Sequence, residues 1–493
     1  MLDTLTKFRC FCFGMLSFLP SICSNWWLVI CPLILSNNLG VSDPLQIATD
    51  TGIIYTAGFV GILIGTVLWP ILIRHISKKF SLVLSAVVMS LSVLLMGLKH
   101  DFSSFFLSRV LQGASYNIHT VGKDFIFDYF QEDMRQFVLN FDQVFLMIGL
   151  LVGPLIGVFL YEVTGESFRM SCIWIFVIGM VISVMTIVLF YFFDWKPFVV
   201  AIDSDEKLKL IKNTENHPQS TEVHHQSSFQ PDEPAISEKT ISRAFLTLLH
   251  RPSTRNLIIT FGICSACTQT ELVISVLFLE TEWSQGGLSI SAEAFSLIAA
   301  ISFLPSLYIL LQSHHYVPSI FSYRNVIVFF VTCFSAFVIV TPLCRDLLPH
   351  EKYQYFVYIV YFVQAVKFFT NSHIYSPFIH FLINKRLNEH IRTGVNSINY
   401  FISMVATIVM IAYVVPIFTW TMYSEFWQIY RPFNKYIAFW ILGITNLIPV
   451  FLIKRTEKKS KEVVIESESS YRSIKSRSLD NHRNLAEKHN TLI

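Results

Sequence analysis

Residues 144–161 read Val-Phe-Leu-Met-Ile-Gly-Leu-Leu-Val-Gly-Pro-Leu-Ile-Gly-Val-Phe-Leu-Tyr, a run of eighteen residues without a charged side chain. An apolar run of about 18 or more residues is what an α-helix needs to cross the hydrocarbon core of a bilayer. Such stretches recur about twelve times along the chain, and one long polar segment separates them into two sets. The sequence therefore predicts an all-α polytopic membrane protein with about twelve transmembrane helices.

The composition of the chain also favours a lipid environment. Hydrophobic residues make up 53% of the 493 residues, charged residues make up 14%, and there are 45 phenylalanines. A soluble domain with so little charge would expose large apolar patches and aggregate. The net charge of +3 is too small to indicate a nucleic-acid partner. We therefore expect the lipid bilayer, and no nucleic acid, as a partner.

The predicted spans form two groups of six. They cover residues 11–35, 50–73, 80–98, 101–128, 139–161 and 170–193, then 256–279, 292–312, 325–343, 355–380, 396–418 and 435–454. We expect an N-terminal six-helix bundle (1–193) and a C-terminal six-helix bundle (256–454). The polar segments between and after them predict a disordered linker (194–255) and a disordered tail (455–493).

The distribution of lysine and arginine predicts the orientation. Basic residues collect at the termini, in the central segment and in the turns around 74–79 and 385–392, all on one side of the predicted helices. The turns at 36–49 and 280–292, on the opposite side, contain acidic residues but no lysine or arginine. Basic loops favour the cytosolic side of a membrane. We therefore expect both termini and the linker in the cytosol.

Two motifs resemble those of the major facilitator superfamily. The stretch Arg109-Val-Leu-Gln112-Gly113 resembles the R-x-x-Q-G motif of the family's fourth helix. Burying an arginine inside the membrane costs free energy, so such an arginine is a candidate functional residue. The alternative is a structural arginine satisfied by neighbouring polar groups. The fifth span resembles the family's antiporter motif G-x-x-x-G-P-x-x-G, which here consists of Gly149, Gly153, Pro154 and Gly157. Glycines at this spacing predict a face where another helix approaches closely, and the proline predicts a bend.

The loop after the second span departs from the family pattern. The basic pair Lys78 and Lys79 is present, but Arg74 stands where the family has an aspartate of a gating charge network. The resemblance therefore implies that this gate is built differently or is weaker. Asp128 and Arg135 resemble the cytosolic end of the family's fourth helix, where such groups would brace the following loop.

Three further polar residues within the predicted spans are candidate pathway residues. Glu271 and Lys367 fall near the middle of the seventh and tenth spans, and Asn25 lies in the first span, which has no acidic residue. Burial raises the cost of a charged carboxylate, so Glu271 could load and release protons, with Lys367 or Arg109 as its partner. The alternative is a fixed Glu271–Lys367 ion pair that holds the two bundles together.

The resemblance extends to one branch of the superfamily. Gly286-Gly287-Leu288 and the segment Arg392 to Asn396 resemble drug:proton antiporters and zinc-induced-facilitator-like carriers of fungi and plants. The resemblance implies a secondary transporter of a small organic solute, acting as a monomer by alternating access, with protons as coupling ion. A vacuolar or other internal membrane is slightly favoured over the plasma membrane.

The sequence also bears on whether the protein is a pump, an enzyme or a metal-binding protein. The chain has no G-x-x-x-x-G-K-[ST] loop for ATP and no assembled catalytic group, so we expect neither a pump nor an enzyme, and no cofactor. Cys264 and Cys267 lie in an apolar stretch and are expected to pack rather than to bind metal. Two alternatives remain open, a non-transporting sensor or scaffold with the same fold and a carrier of zinc or a metal chelate.

Overall fold

The structure is a computed structural model of the full chain. It describes residues 4–73, 75–99, 101–116, 121–130, 132–192, 246, 252–320, 323–347, 353–384, 389–423 and 436–455. Within these ranges the chain is helical and contains no β-strand. The segments predicted to be a disordered linker and tail lie almost entirely outside the described residues.

The described residues of the first half, up to residue 192, form eight helices. They are α1 (Thr4–Asn25), α2 (Cys31–Asn37), α3 (Pro44–Leu72), α4 (Lys78–Leu98), α5 (Phe102–Ser115), α6 (Lys123–Tyr129), α7 (Glu132–Val163) and α8 (Phe168–Phe192). Helices α3, α4 and α5 begin at N-cap side chains. Asp43, Ser77 and Asp101 each accept a hydrogen bond from a backbone N–H of the first turn, which would otherwise lack a partner.

In the second half, the described residues from 252 to 455 form eight more helices. They are α9 (Pro252–Glu280), α10 (Ala292–Ile320), α11 (Tyr323–Val340), α12 (Leu343–Leu347), α13 (Tyr353–Thr370), α14 (Ser372–Asn384), α15 (Glu389–Tyr423) and α16 (Tyr436–Arg455). Helix α9 begins four residues before the predicted start of its span, with Pro252 in the first turn, where proline is tolerated.

Each of the twelve predicted spans coincides with one helix or with two consecutive helices. In the described part of the chain, eight helices are long and apolar enough to cross a membrane, by length and composition. Of the other four predicted spans, the eighth corresponds to α10, and the first, fourth and tenth each correspond to two helices. The predicted all-α polytopic architecture is confirmed.

The structure divides the first, fourth and tenth predicted spans into two helices each. The first span is interrupted at residues 26–30, between α1 and α2. The tenth is interrupted at Asn371, between α13 and α14. In the fourth, α5 ends at Ser115 and α6 begins only at Lys123. Interrupted helices are tolerated at membrane depth where the chain is buried in protein or lines a cavity. Trp26, Trp27 and Asn371 are buried in this way.

The two halves pack together through two pairs of long helices. Helix α3 packs against α15, and α7 packs against α10. Within the first half, α1 lies against α7, α4 against α8, and α3 against α5. Within the second half, α9 lies against α15 and α10 against α13. These contacts place α1, α3, α5 and α7 opposite α9, α14 and α15 across the centre of the molecule.

Candidate functional site

A cavity of about 130 Å³ lies between the two halves. Side chains of α1, α3, α5 and α7 line it from one side, and side chains of α9, α14 and α15 line it from the other. Its polar lining consists of hydroxyl and amide groups and one charged group, contributed by Ser21, Ser24, Asn25, Tyr55, Arg109, Tyr116, Gln143, Ser265, Gln269, Ser376 and Tyr400. A concave site with an apolar wall and a few converging polar groups is typical of a small-molecule site.

Arg109 is the charged residue of this cavity. It lies on α5 and is 7% exposed. Its Nη1 donates to the Ser24 carbonyl oxygen at 3.3 Å and to the side-chain oxygen of Gln112, and its guanidinium carbon lies 4.4 Å from the centre of the Trp27 ring. It reaches this position because Gly58 on α3 has no side chain, and a Cβ there would lie 2.8 Å from Nη2. Arg109 therefore lines the cavity, and Gln112, one turn further along α5, accepts a hydrogen bond from it.

Asn25 also lines the cavity, at the last residue of α1 before the chain leaves the helix. Its side-chain amide donates to the Ser21 carbonyl oxygen at 2.7 Å. The end of α1 therefore presents an amide group at the cavity wall, where it can hydrogen-bond a solute.

Glu271 and Lys367 form a buried ion pair beside the central cavity. Lys367 is 2% exposed, and its ammonium group donates to Glu271 and, at 3.0 Å, to the Ser275 hydroxyl, which itself donates to Glu271. The pair borders a smaller cavity of about 40 Å³, and Gln269 lines both cavities. Both residues belong to the second half, on α9 and α13. The pair therefore cannot join the two halves, contrary to the alternative considered from the sequence.

The structure reveals a second buried acid that the sequence analysis missed. Asp142 on α7 accepts a hydrogen bond from Ser17 on α1 and interacts electrostatically with the buried Lys123 on α6. The ammonium group of Lys123 lies 5.6 Å from the centre of the Tyr400 ring, and the Tyr400 hydroxyl lies 2.8 Å from Nε2 of His380. Tyr400 and His380 belong to α15 and α14, so this cluster extends from the first half into the second. The sequence did contain a signal for this residue, because Asp142 is an acidic residue within an otherwise apolar span.

Comparison with known proteins identifies the family. The sequence matches the Major Facilitator Superfamily over residues 11–411, which is most of the chain. The chain belongs to the major facilitator superfamily. Its members are membrane transporters, so the expectations of a transporter and of a protein that is not an enzyme are confirmed. No curated protein matches this sequence closely enough to count as a relative.

Solved structures of this superfamily share the fold at low sequence identity. The crystal structure of the human organic anion transporter MFSD10 (TETRAN) has a TM-score of 0.61 at 10% identity, and 92% of this chain and 100% of that chain are covered. A D-xylose-proton symporter has a TM-score of 0.61 at 12% identity, covering 91% and 97%. The proton:xylose symporter XylE with bound 6-bromo-6-deoxy-D-glucose has a TM-score of 0.59 at 14% identity, covering 90% and 95%.

A charge cluster joins the start of α4 to α6, next to the loop after the second span. Lys78, at the start of α4, donates to Asp124 at 2.5 Å and to Asp128 at 2.6 Å, both on α6. Lys79 lies 5.6 Å from the centre of the Tyr129 ring. Arg74, where the family has an aspartate, lies outside the described residues. The acids of this cluster therefore come from α6 instead of the loop.

Arg135 contacts backbone groups at the end of α6. It donates to the carbonyl oxygens of Phe130 at 3.1 Å and Phe127 at 2.8 Å, at the end of α6. These oxygens have no partner within the helix, so a cation there is favourable. Arg135 therefore contacts the end of α6 and Asp128 pairs with Lys78, while the bracing of the following loop by these two residues stays a prediction.

The glycine motif of α7 lies against α1. A Cβ on Gly149 would lie 2.6 Å from Ser21 Cβ, and a Cβ on Gly153 would lie 3.3 Å from the Trp26 nitrogen. A Cβ on Gly157 would collide with the Trp26 carbonyl oxygen. Pro154 lines the smaller cavity on another side of the helix. The motif thus brings α7 close to the end of α1, where the first span is interrupted.

Metal-ligating residues are dispersed in the part of the chain that the structure describes. No group of three or more His, Cys, Asp or Glu side chains there is arranged to hold a metal ion. Cys264 and Cys267 are both buried in α9, and Cys267 belongs to the apolar core.

Proposed function

We propose that this protein is a secondary transporter that moves a small organic solute through the central cavity by alternating access. The observation that carries the proposal is that both halves line one cavity at the centre of the fold. Rocking of the two halves about such a site would open it to each side of the membrane in turn. In this proposal residues 1–193 and 256–454 are the two moving bundles, and the protein acts as a monomer.

Protons are the proposed coupling ion, and two buried carboxylates are candidates to carry them. Glu271 borders the smaller cavity, which adjoins the central cavity at Gln269. Asp142 lies on α7 in the cluster that extends from the first half to the second. The antiporter-like glycine motif of α7 supports this assignment by resemblance to drug:proton antiporters. A carboxylate that cycles between protonated and charged forms can link proton movement to a conformational change.

The proposed orientation places both termini in the cytosol. The basic residues near helix ends support it. In this orientation the Lys78–Asp124–Asp128 cluster lies on the cytosolic side, where it would act as part of the gate. A vacuolar or other internal membrane is the proposed location, by resemblance to fungal and plant relatives of that branch.

The test is solute flux in reconstituted liposomes. Purified full-length protein, with an imposed pH gradient, should accumulate a labelled solute from a broad panel of organic acids, amines and sugars. Protein-free liposomes should not, and a protonophore should abolish the accumulation.

Two other outcomes would identify the alternatives. Solute binding without flux across the whole panel would support the non-transporting sensor or scaffold. Uptake of zinc, free or chelated, without uptake of any organic solute would support the metal carrier and overturn the proposed substrate class.

A further inference from the structure

We propose that the central cavity recognises an organic anion, whose negatively charged group binds to Arg109. This inference rests on the proposed transport function and adds the chemical class of the substrate. It requires that the guanidinium group has donors left for a ligand, that no protein carboxylate neutralises it, and that the cavity can hold the organic remainder.

Arg109 has donors available in the cavity. Its hydrogen bonds to described residues involve only Nη1, which donates to Ser24 and Gln112. Nε is buried and has no hydrogen-bond partner, and Nη2 donates to no acceptor among the described residues. Buried N–H groups without a partner are costly, and an anionic ligand would satisfy them. The planar guanidinium fork suits a carboxylate or phosphate group, which it can bind with two parallel hydrogen bonds.

The charges around the cavity leave Arg109 without a counterion. No carboxylate forms an ion pair with it within the described ranges, and no other charged side chain lines the cavity there. Glu271 is occupied by Lys367. Asp142 faces Ser17 and Lys123. The lining therefore carries one positive charge in surroundings of low dielectric constant, where an unpaired charge is unfavourable and an anion is attracted.

The remaining wall of the cavity suits an organic body with apolar and polar parts. Trp27 packs against one face of the guanidinium, and its ring centre lies 4.9 Å from that of Tyr55. Tyr55 lines the cavity, and its buried hydroxyl has no partner. Tyr116, Phe261 and Tyr400 add further rings. Aromatic faces bind apolar groups, while the Tyr55 hydroxyl can donate to the anion or to a second polar group.

The experiment measures ligand-induced thermal stabilisation of the purified full-length protein by tryptophan fluorescence. The probes are phenylacetate, 3-phenylpropionate, phenylphosphonate and benzenesulfonate, each beside its uncharged amide or ester of similar size. A ligand that binds only the folded state raises the melting temperature in a saturable manner. We expect at least one anion to stabilise the protein and its uncharged counterpart to have no effect at the same concentration.

Variants then assign the binding to Arg109. Arg109→Gln should weaken the apparent anion affinity by at least about tenfold, because charge-assisted hydrogen bonds are lost. Arg109→Lys retains the charge and should give an intermediate affinity, which separates recognition from a general defect in folding. Arg169→Gln, on an exposed arginine of the same half, should leave the affinity unchanged.

Three results would overturn the proposal: no anion stabilises the protein more than its uncharged counterpart, Arg109→Gln binds anions as tightly as the natural protein, or both glutamine variants weaken binding equally. The binding assay also separates this proposal from the transport function. Anion binding without flux would contradict transport alone, whereas flux of uncharged solutes without anion selectivity would contradict the anion site alone.

Discussion

Glu271 and Asp142 are both buried within membrane-spanning helices and differ in how their charge is compensated. Glu271 accepts hydrogen bonds from Lys367 and Ser275 within its own half of the molecule. Asp142 accepts one from Ser17, and no direct hydrogen bond joins it to Lys123. Removal of one member of a direct ion pair leaves the other charge buried without its partner, whereas the Asp142 carboxylate has no direct hydrogen bond to a cation. The two residues therefore predict different outcomes when neutralised.

Glu271→Gln should destabilise the protein because it leaves the Lys367 ammonium buried without a counterion. Breaking a buried pair from one side costs roughly 3–5 kcal/mol, so we expect low abundance and a lower melting temperature in detergent. Adding Lys367→Met to Glu271→Gln should restore both. If Glu271→Gln alone is normally abundant but loses gradient-driven accumulation while retaining solute exchange, Glu271 is the proton carrier instead.

Asp142→Asn should be less destabilising than Glu271→Gln, because the amide keeps the size of the side chain and can still accept from Ser17, and no direct hydrogen bond to Lys123 is lost. It cannot change its charge, so proteoliposomes should retain exchange of solute between the two faces and lose accumulation driven by a pH gradient. The matched control is Glu166→Gln, on an exposed acid in the turn between α7 and α8. Accumulation at the natural level by Asp142→Asn, at normal abundance, would remove Asp142 from the coupling mechanism.

At the scale of helices, glycine determines which elements approach the cavity. The α7 glycines let α1 lie close, and a second set on α3 lets α5 do the same. A Cβ on Gly65 would lie 2.6 Å from the Ala114 carbonyl oxygen, and Cβ atoms on Gly61 and Gly113 would clash with backbone atoms of the facing helix. Lipid tails are as apolar as the helices, so the hydrophobic effect does not drive helices together in a membrane. Close backbone packing is therefore a main source of helix association there. These two contacts hold Arg109 and Asn25 at the cavity wall.

Gly157→Ala should destabilise the α1–α7 contact more than Gly153→Ala does. The new methyl group at position 157 meets the Trp26 carbonyl oxygen, a backbone atom that cannot rotate away, whereas at position 153 the nearest atom is 3.3 Å away. Overpacking of this kind typically costs about 1–3 kcal/mol, which a thermal unfolding assay in detergent would detect.

Gly262→Ala on α9 is the matched control, since its new methyl group would find its nearest neighbour at an ordinary 3.4 Å. The larger change Gly153→Leu should cut transport sharply while the protein still inserts into the membrane, because hydropathy barely changes. Equal stability of the Gly157→Ala and Gly262→Ala proteins, or full transport by Gly153→Leu, would remove this contact from the account.

At the scale of the whole molecule, the two halves meet along α3–α15 and α7–α10 with the cavity between them. The Lys78 cluster joins α4 to α6 within the first half. Within the second half, Arg345 donates to the Trp283 carbonyl oxygen at 2.8 Å, and Tyr436 donates to Asp346. These polar contacts therefore stabilise each half separately, whereas the long helix pairs join the two halves.

Cysteine labelling tests the orientation of the molecule. Ser220→Cys lies in the central segment, outside the described residues, and Asp43→Cys lies at the start of α3. In cells whose plasma membrane alone is permeabilised, a membrane-impermeant maleimide should label position 220 at once and position 43 only after detergent. The unaltered protein is the control, because eight of its nine cysteines are buried. Immediate labelling of position 43 without labelling of position 220 would reverse the proposed topology.

The sequence by itself determined the class of the protein, because the length of an apolar run and the position of lysine and arginine depend on the membrane and not on tertiary contacts. The Arg109 and α7 glycine motifs likewise indicated the superfamily.

The tertiary structure decided which polar groups meet. Lys367 reaches Glu271 across 96 positions of sequence, Asp142 meets Ser17 across 125, and Lys78 joins Asp128 across 50. The interruptions at residues 26–30 and 371 also depend on surrounding helices, since no proline or glycine lies within them. Buried polar groups require partners from other elements, and only folding brings those elements together.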